Sequence, residues 1–249
     1  MEIDMKGKWI LVTGASSGIG EGVVGELDKA GANVVLVGRN EEKLQEVASG
    51  MANQAIVVKY DLSDLEHMEE IFTTVYKQGI VLDGMVHSAG ISVDIPVKVL
   101  QPQDLRTMME VNYFSFVMLG RFFYKKKYSN PESSIVAISS AAAFMCDKGM
   151  SQYSASKAAL NATVKTMSKE FLNRRIRVNA IAPCFVDTGM TWNVGNYVEG
   201  FADKLTQTQP LGVIPREQIA YVVLFLLSEY SGYITGDIIP ITGGQTLHY

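Results

Sequence analysis

The sequence lacks the features that mark several large classes of protein. It has two cysteines, Cys146 and Cys184, and no Cys-x-x-Cys or Cys/His cluster, so we expect neither a disulfide framework nor a metal site. It has no run of about 18 apolar residues, and its N-terminal MEIDMKGK has no apolar signal core, so we expect a cytoplasmic protein that does not span a membrane. The formal net charge is -4 and long basic runs are absent, which argues against a nucleic-acid partner.

The composition is that of a globular α/β protein. Hydrophobic residues make up 47% of the 249 residues and charged residues 19%, with a mean hydropathy of +0.11. This length allows one large domain or two small ones. Because no internal repeat, low-complexity tract or Pro/Ser-rich linker marks a boundary, we predict a single domain over residues 1–249.

Short apolar runs alternate with helical patterns along the chain. Strands are predicted at 8–13, 33–37, 55–60, 82–87, 134–139, 177–181 and 237–241. Helices are predicted from the first glycine-rich turn to about 30, and at 40–49, 65–77, 103–126, 151–173 and 215–228. Buried strands separated by helices indicate a parallel sheet that is covered on both faces. The predicted fold is therefore a doubly wound, Rossmann-type α/β domain with a mostly parallel, seven-stranded sheet.

One segment, at about 188–212, interrupts this regular alternation. It is longer than the usual connection in α/β units, so it is either a functional lid or a disordered loop. Its aromatic residues Trp192, Tyr197 and Phe201 favour a lid over an apolar ligand, although they would also suit packing on the body of the domain.

A glycine-rich turn, Gly14-x-x-x-Gly18-x-Gly20, follows the first predicted strand and begins the first predicted helix. Small residues at such a junction let backbone N–H groups and the positive end of the helix face an anion. A dinucleotide pyrophosphate would fit there, although a glycine triplet also occurs in turns that bind nothing.

The end of the second predicted strand distinguishes NAD from NADP. An NAD site usually has a carboxylate there for the ribose 2′-hydroxyl, whereas this chain has Arg39. A guanidinium can pair with a 2′-phosphate, so we expect NADP(H) to be preferred over NAD(H). The alternative is that Arg39 begins the next helix and pairs with Glu41 or Glu42.

Tyr153 and Lys157 lie four residues apart in a predicted helix and so share one face. A cation about 4 Å from a phenol, at an effective dielectric constant near 20, favours the phenolate by about 4 kcal/mol, or about three pKa units. We therefore expect the pKa of Tyr153 to be lowered toward neutrality. The same spacing also arises by chance on solvated helices.

Five motifs together resemble the single-domain branch of the short-chain dehydrogenase/reductase family. They are TGASSGIG at 13–20, SAG at 88–90, Asn112, Ser140 and YSASK at 153–157. The resemblance spans nearly the whole chain, and the general layout is most similar to the 3-oxoacyl-(acyl-carrier-protein) reductases of that branch.

The resemblance implies four catalytic residues. Tyr153 would be the general acid for ketone reduction and the base for alcohol oxidation, and Lys157 would also hold the nicotinamide ribose. Ser140 would bond the carbonyl oxygen, while the adjacent Ser139 would point away from it. Asn112 would position a water molecule for the proton relay, unless it is a surface polar residue.

The resemblance also implies the residues that contact the cofactor. Asp61 would bond the adenine ring and Thr188 the nicotinamide amide. The full implied set is Gly14, Ser16, Ser17, Gly18, Ile19, Gly20, Arg39, Asp61, Leu62, Ser88, Ala89, Gly90, Tyr153, Lys157, Pro183, Val186 and Thr188.

Four residues depart from the pattern of similar proteins, and one of them, Asp237, stands where a glutamine is common near the last strand and is assigned no function. His87 and Ser88 stand where two asparagines are common, and the shorter serine has fewer hydrogen-bond donors. We expect His87 to be structural, since the family mechanism uses no histidine there. Cys184 replaces a glycine near the nicotinamide, and it either packs, as we expect, or reacts with electrophiles.

The sequence leaves several functions open. The leading hypothesis is an NADPH-dependent carbonyl reductase, whose substrate is a small molecule or an acyl thioester. Alternatives are a dehydrogenase of a sugar, polyol, steroid or small ketone, an epimerase or dehydratase, and a catalytically idle NADP-binding sensor or scaffold. The resemblance also implies a homotetramer or homodimer, with Ala155, Ala158, Ala159 and Ala162 at close helix contacts or against the sheet. Arg174 would face an acidic carrier protein or would be an ordinary surface residue.

Overall fold

The computed structural model describes residues 3–195, 205 and 207–247. For residues 193–195 it describes the backbone but not the side chains. Within these residues, seven parallel strands form one sheet in the order β3-β2-β1-β4-β5-β6-β7. The predicted single-domain, doubly wound α/β fold is therefore confirmed. No helix in the described part of the chain is long and apolar enough to cross a membrane.

The elements follow the predicted alternation. The strands are β1 (Trp9–Thr13), β2 (Asn33–Gly38), β3 (Ala55–Lys59), β4 (Leu82–His87), β5 (Ser129–Ile138), β6 (Arg177–Pro183) and β7 (Ile238–Ile241). The helices are α1 (Gly18–Lys29), α2 (Glu41–Ser49), α3 (Glu69–Tyr76), α4 (Pro102–Met109), α5 (Ser115–Phe123), α6 (Ala142–Met145), α7 (Ser151–Glu170), α8 (Gly189–Gly195) and α9 (Arg216–Leu227). A π-helical turn (Glu110–Phe114) joins α4 to α5.

Alternation along the strands divides the buried side chains between two clusters. Leu11 and Val35 belong to a cluster with side chains of α3, α5 and α7. Ile10 and Val34 belong to the other cluster, with side chains of α1 and α9. Helices therefore cover both faces of the sheet, and each fully buried aliphatic side chain contributes about 1.5–3 kcal/mol.

The chain reverses its direction of winding between β1 and β4, which are neighbours in the sheet. In doubly wound sheets the crevice outside the carboxyl ends of the strands at such a point is the usual ligand site. The loops after β1, β2, β3 and β4 therefore carry the candidate site.

The predicted lid at 188–212 falls partly outside the described residues. Residues 196–204 and 206, which include Tyr197 and Phe201, are not described. The described part begins with α8, whose Trp192 is 44% exposed and donates from Nε1 to Asp187 at 2.7 Å. Whether the segment is a lid stays a prediction.

Candidate active site

The glycine-rich turn brings the start of α1 against the end of β1. Gly14 and Gly18 have positive φ angles of 65° and 56°, which favour glycine. A Cβ atom on Gly20 would lie 2.2 Å from the Gly14 carbonyl oxygen, so the turn can close only without a side chain there. Ser17, the N-cap of α1, makes no side-chain capping bond, which leaves the N–H groups of the first turn open to an anion.

The turn after β4 packs against Gly14. A Cβ atom on Gly14 would lie 2.9 Å from the Ala89 backbone and 3.2 Å from that of Ser88. Ala89 also donates its N–H to the Thr13 hydroxyl at 3.2 Å. These contacts fix the two neighbouring strand ends relative to each other.

A cavity of about 840 Å³ follows this edge of the sheet. Its wall includes several residues of the implied cofactor set, namely Gly14, Ser16, Ser17, Arg39, Asp61, Leu62, Ala89 and Gly90. It also includes residues that the sequence does not single out, among them Gly38, Asn40, Lys43, Lys59, Tyr60, Ile91 and Val111. Most of these lie at or just after the ends of β2, β3 and β4, so their place at strand ends is the signal that could have identified them.

Arg39 lies exposed on the cavity wall at the end of β2. It forms no ion pair or hydrogen bond with any described residue, and Glu41 pairs with Lys59 instead, at 3.6 Å. The alternative that Arg39 pairs with Glu41 or Glu42 is therefore wrong. Asp61, after β3, accepts from the N–H and hydroxyl of Ser63 at 3.0 and 2.9 Å through one carboxylate oxygen.

The remaining residues of the implied cofactor set lie outside the cavity wall. Thr188 closes over the glycine turn, since a Cβ atom on Gly18 would lie 3.2 Å from its methyl carbon. Ile19 packs its side chain into the core of the domain, so only its backbone can face a ligand. Pro183 and Val186 are buried at the end of β6, where the Pro183 carbonyl accepts from Ala141 at 2.9 Å.

Tyr153 is buried in the first turn of α7, and it packs with Met108, Ala142, Ile91 and Met150. Its pKa is raised above the usual value, because burial disfavours the phenolate, and a hydrogen bond with Ser140 opposes this only in part. The expected lowering by Lys157 is therefore wrong for this structure: the Lys157 ammonium lies 5.8 Å from the centre of the phenol ring and donates elsewhere.

Lys157 is buried one turn further along α7, with 3% of the residue exposed. Its ammonium donates to the Ile138 carbonyl at the end of β5, at 2.8 Å. Burial lowers the pKa of this lysine to about 8. A Cβ atom on Gly90 would lie 3.5 Å from Lys157 Nζ, so the ammonium adjoins the cavity where Gly90 forms its wall.

Asn112 is fully buried in the π-helical turn, so the alternative of a surface polar residue is wrong. The predicted continuous helix at 103–126 is likewise divided by this turn. The side-chain amide accepts from Ile91 N–H at 2.8 Å and donates to the Ile91 carbonyl at 2.9 Å and to Ser156 Oγ at 3.1 Å. Asn112 thus joins the turn after β4 to helix α7.

The structure also shows what surrounds Ser139, Cys184 and Arg174, three residues considered in the sequence analysis. Ser139 is buried with no hydrogen-bond partner for its hydroxyl among the described residues, and it does not share the contacts of Ser140. Cys184 is half-buried, and burial raises the pKa of its thiol to about 11, which suits packing better than reactivity. Arg174 donates to the backbone carbonyls of Tyr124 and Ser129 and is therefore engaged within the domain.

The residues present fit a dinucleotide. The cavity wall includes both the exposed Arg39 at the end of β2 and Gly90, which adjoins the buried Lys157 ammonium. Ser16 and Ser17, at the uncapped start of α1, are on the same wall, so a diphosphate there would meet open N–H groups.

Comparison with known proteins finds reductases that match nearly the whole chain. A family model described as enoyl-(acyl carrier protein) reductase matches residues 14–246. The chain is 34% identical over 247 residues to the 3-oxoacyl-(acyl-carrier-protein) reductase FabG of Rickettsia prowazekii, with 98% of this chain and 99% of the relative covered.

Solved structures of similar proteins share the fold over the whole chain. A short-chain glucose/ribitol dehydrogenase from Brucella melitensis superimposes with a TM-score of 0.93 at 25% identity, covering 100% of both chains. A 7α-hydroxysteroid dehydrogenase complexed with NADH and 7-oxo glycochenodeoxycholic acid gives 0.92 at 26% identity, covering 99% of this chain and 97% of the other. The chain belongs to the short-chain dehydrogenase/reductase family, and it is a nicotinamide-dependent oxidoreductase that acts on C=O or CH–OH groups.

Proposed function

We propose that the protein reduces a carbonyl group to a secondary alcohol with NADPH, and that Ser140, Tyr153, Lys157 and Asn112 are its catalytic residues. The bound cofactor supplies the hydride. The observation that supports this most is the Lys157 ammonium, which is buried one turn from Tyr153 on α7 and adjoins Gly90 of the cavity wall.

Tyr153 is suited to donate a proton. Because its pKa is raised, the phenol keeps its proton at neutral pH and is ready to act as a general acid toward a developing alkoxide. In this proposal the Ser140 hydroxyl hydrogen-bonds the same oxygen and stabilises its charge.

Lys157 connects the acid to the cofactor. Among the described residues, its ammonium has one acceptor, the Ile138 carbonyl, and its other N–H groups are available for a ribose hydroxyl. With a pKa of about 8 the lysine is mostly charged at neutral pH and can still release a proton. It can therefore hold the ribose and help to restore the proton that Tyr153 gives up.

The NADPH preference rests on Arg39. It lies on the cavity wall without a partner in the described part of the chain, and Lys43 and Lys59 also lie on that wall. The same wall carries Glu41, Glu42 and Asp61, and Glu41 pairs with Lys59, so the argument depends on the Arg39 guanidinium itself, which can pair with a 2′-phosphate. The other cofactor contacts that we propose are those of the set given above.

The substrate that we propose is a 3-oxoacyl thioester or a similar ketone with an apolar chain. The side chains around Tyr153 are Met108, Ala142, Ile91 and Met150, which would accept an apolar chain next to the reacting carbonyl. Several curated relatives are named 3-oxoacyl-(acyl-carrier-protein) reductase, and they match 98% of this chain.

We also propose that the protein is a homotetramer or homodimer. Ala155, Ala158 and Ala162 lie on the exposed face of α7, away from the sheet, where they would allow a second copy to approach closely. Light scattering of the purified protein would measure its mass in solution, and a monomer at all concentrations would contradict this.

The decisive experiment is a reduction assay. Purified protein is mixed with NADPH and a panel of ketones and 3-oxoacyl thioesters, and the nicotinamide absorbance is followed. We expect at least one panel member to be reduced. NADPH binding without turnover of any substrate would instead support an idle sensor or scaffold.

Tyr153→Phe tests the assigned acid in the same assay. Because the variant lacks the donated proton, we expect kcat to fall by about 10²–10⁴-fold while the Kd for NADPH stays within about twofold. Near-normal turnover by this variant would show that another group supplies the proton.

A further inference from the structure

Gln209 is a fully buried polar residue near the end of the 188–212 segment, and the proposed reaction gives it no role. Its side-chain amide makes three hydrogen bonds with the backbone. The amide oxygen accepts from Phe185 N–H at 3.0 Å, while Nε2 donates to the Phe185 carbonyl at 3.0 Å and to the Gly212 carbonyl at 2.6 Å. One side chain therefore bonds both polar backbone groups of Phe185 and joins that residue to the end of the segment.

These partners fix the orientation of the amide. An amide turned by half a rotation would place its NH₂ group against Phe185 N–H and its oxygen against two carbonyl oxygens, so all three contacts would become unfavourable. The aliphatic part of the side chain is also confined, because a Cβ atom on Gly243 would lie 2.5 Å from Gln209 Cγ. The Gly243 carbonyl accepts from Leu211 N–H at 2.9 Å. The amide is thus held between the loop after β6 and the turn after β7.

Phe185 lies in the connection between β6 and α8, which carries two of the proposed cofactor contacts, Val186 and Thr188. The Phe185 carbonyl also accepts from Ile214 N–H at 3.0 Å. Thr188 donates from Oγ1 to the Val186 carbonyl at 3.4 Å, and its methyl group lies over Gly18 of the glycine turn. The backbone bonds of Phe185 therefore help to determine where Val186 and Thr188 lie.

We propose that Gln209 is a positioning residue that holds the connection between β6 and α8 in the conformation that receives the nicotinamide half of NADPH. The inference rests on the proposed function, in which Val186 and Thr188 contact the cofactor. Gln209 acts through Phe185, since it is not among the described residues of the cavity wall. Without the amide, the connection would be ordered only when the cofactor binds, and that ordering would weaken binding.

A purely structural role for Gln209 is the alternative, and Asn179 on β6 provides a matched control. Asn179 is also a fully buried amide that bonds both an N–H and a carbonyl of the backbone. It accepts from Asp237 N–H at 3.1 Å and donates to the Ile234 carbonyl at 2.9 Å. None of these three residues belongs to the proposed site. Loss of either amide removes buried hydrogen bonds and should lower the stability, but only loss of Gln209 should change cofactor binding.

Titrations with NADPH and with adenosine 2′,5′-bisphosphate, which lacks the nicotinamide half, separate the two roles. Gln209→Met keeps the length of the side chain and removes its three hydrogen bonds. We expect its Kd for NADPH to rise about tenfold and its Kd for the bisphosphate to stay within about twofold of wild type, because only the nicotinamide half needs the ordered connection. Asn179→Leu should keep both Kd values. An unchanged NADPH Kd in Gln209→Met, equal changes for the two ligands, or the same selective loss in Asn179→Leu would overturn the proposal.

Amide hydrogen exchange of the wild-type protein tests the same point without a substitution. Phe185 N–H reports on the contact directly, since it donates to Gln209. We expect NADPH to slow its exchange by about tenfold or more and the bisphosphate to leave it within about twofold, and equal effects of the two ligands would overturn the proposal. If wild type binds NADPH but reduces no carbonyl compound, the proposed function fails, while the titrations and exchange rates still decide the role of Gln209.

Discussion

Lys157 shows how a functional residue can lower the stability of the fold. Its pKa is about 8, against 10.5 for an ordinary lysine, because burial disfavours the ammonium. The unfolded chain therefore binds more protons than the folded one between pH 8 and 10.5. The cost of burying the charge is fully present below pH 8 and disappears as the pH rises to 10.5.

Lys157→Met should therefore stabilise the protein and inactivate it. The pKa shift corresponds to about 3 kcal/mol, and the lost hydrogen bond to the Ile138 carbonyl offsets about 1 kcal/mol, so the gain at pH 7 is about 2 kcal/mol. Urea denaturation at pH 7 and pH 9.5 measures it, and the difference between variant and wild type should shrink at the higher pH. A variant that is less stable than wild type at pH 7 would contradict the argument.

Arg39→Asp should change the cofactor preference. The variant replaces an unpaired cation with a carboxylate that can accept from the ribose 2′-hydroxyl and repels a 2′-phosphate. We expect the ratio of kcat/KM for NADPH to that for NADH to fall by about 10²-fold or more, since a charged hydrogen bond contributes about 1.5–3 kcal/mol and repulsion adds to its loss.

Arg121→Asp is a suitable control for Arg39→Asp, because it makes the same charge change at an exposed arginine on α5, away from the cavity wall. Its cofactor ratio should equal that of wild type. An unchanged ratio in both variants would show that Arg39 does not contact the 2′-phosphate.

Individual residues were predictable from the sequence where local spacing decides their position. The four-residue spacing of Tyr153 and Lys157 places both on α7, and the strand end places Arg39 on the cavity wall. The pKa of Tyr153 was not predictable, because burial and the direction of the Lys157 ammonium depend on distant elements. The bonds of Arg174 to Tyr124 and Ser129 are non-local in the same way.

Helix α1 places two glycines in contrasting surroundings. Gly20 lies in the first turn, where a Cβ atom would meet the Gly14 carbonyl oxygen at 2.2 Å, whereas a Cβ atom on exposed Gly25 would meet nothing within 4 Å. Gly20 is needed for the close approach of helix and strand. Gly25 only adds conformational entropy to the unfolded chain.

Gly20→Ala and Gly25→Ala should therefore act in opposite directions. Gly20→Ala should destabilise the fold by about 1–3 kcal/mol through overpacking and weaken NADPH binding by distorting the turn. Gly25→Ala should stabilise the helix by about 0.5–1 kcal/mol and leave the Kd for NADPH unchanged. Thermal unfolding and NADPH titration measure both effects, and equal cofactor affinity in the two variants would show that the turn tolerates a side chain.

The elements were predictable where hydrophobic pattern sets them. All seven strands and the helices on either side appear, because buried apolar runs and helical periodicity are local signals. The observed element boundaries differ from the predicted ones where contacts with distant parts of the chain decide them. β5 starts at Ser129 rather than 134, because Ser129 pairs with Leu82 although the segment is polar. The predicted helix at 65–77 begins at Glu69, and the π-helical turn at Asn112 has no distinct local signature.

The molecule as a whole should lose stability on acidification, mainly through His87. Burial, assisted by the charge of Lys157, lowers the pKa of His87 to about 3 from 6.5. Below pH 6.5 the unfolded chain therefore takes up a proton that the folded protein refuses, and the stability falls as the pH falls. Over the full interval the loss is about 4–5 kcal/mol, a large part of the 5–15 kcal/mol by which domains are usually stable.

Surface groups modify this dependence only slightly. Hydrogen bonds from Lys125 and Tyr128 lower the pKa of Glu69 to about 2, so its contribution is also lost in acid, but the carboxylate is partly exposed and screened by solvent. His67 acts with the opposite sign, since Asp64 raises its pKa and the pair stabilises the fold more as the pH falls. Both residues of that pair are exposed, so the effect is small.

His87→Phe should flatten the acid dependence of stability. For wild type we expect the unfolding free energy to fall by about 1.4 kcal/mol per pH unit from this one group between pH 6 and pH 4, and this slope should be absent from the variant. Urea denaturation at half-unit intervals of pH measures the slopes, and it does so whether or not the variant differs from wild type at pH 7. His67→Gln is the control, and its slope should match that of wild type or be slightly steeper. If His87→Phe kept the full wild-type slope, the imidazole would have to be protonated or solvated in the folded protein, and a neutral, buried ring would be excluded.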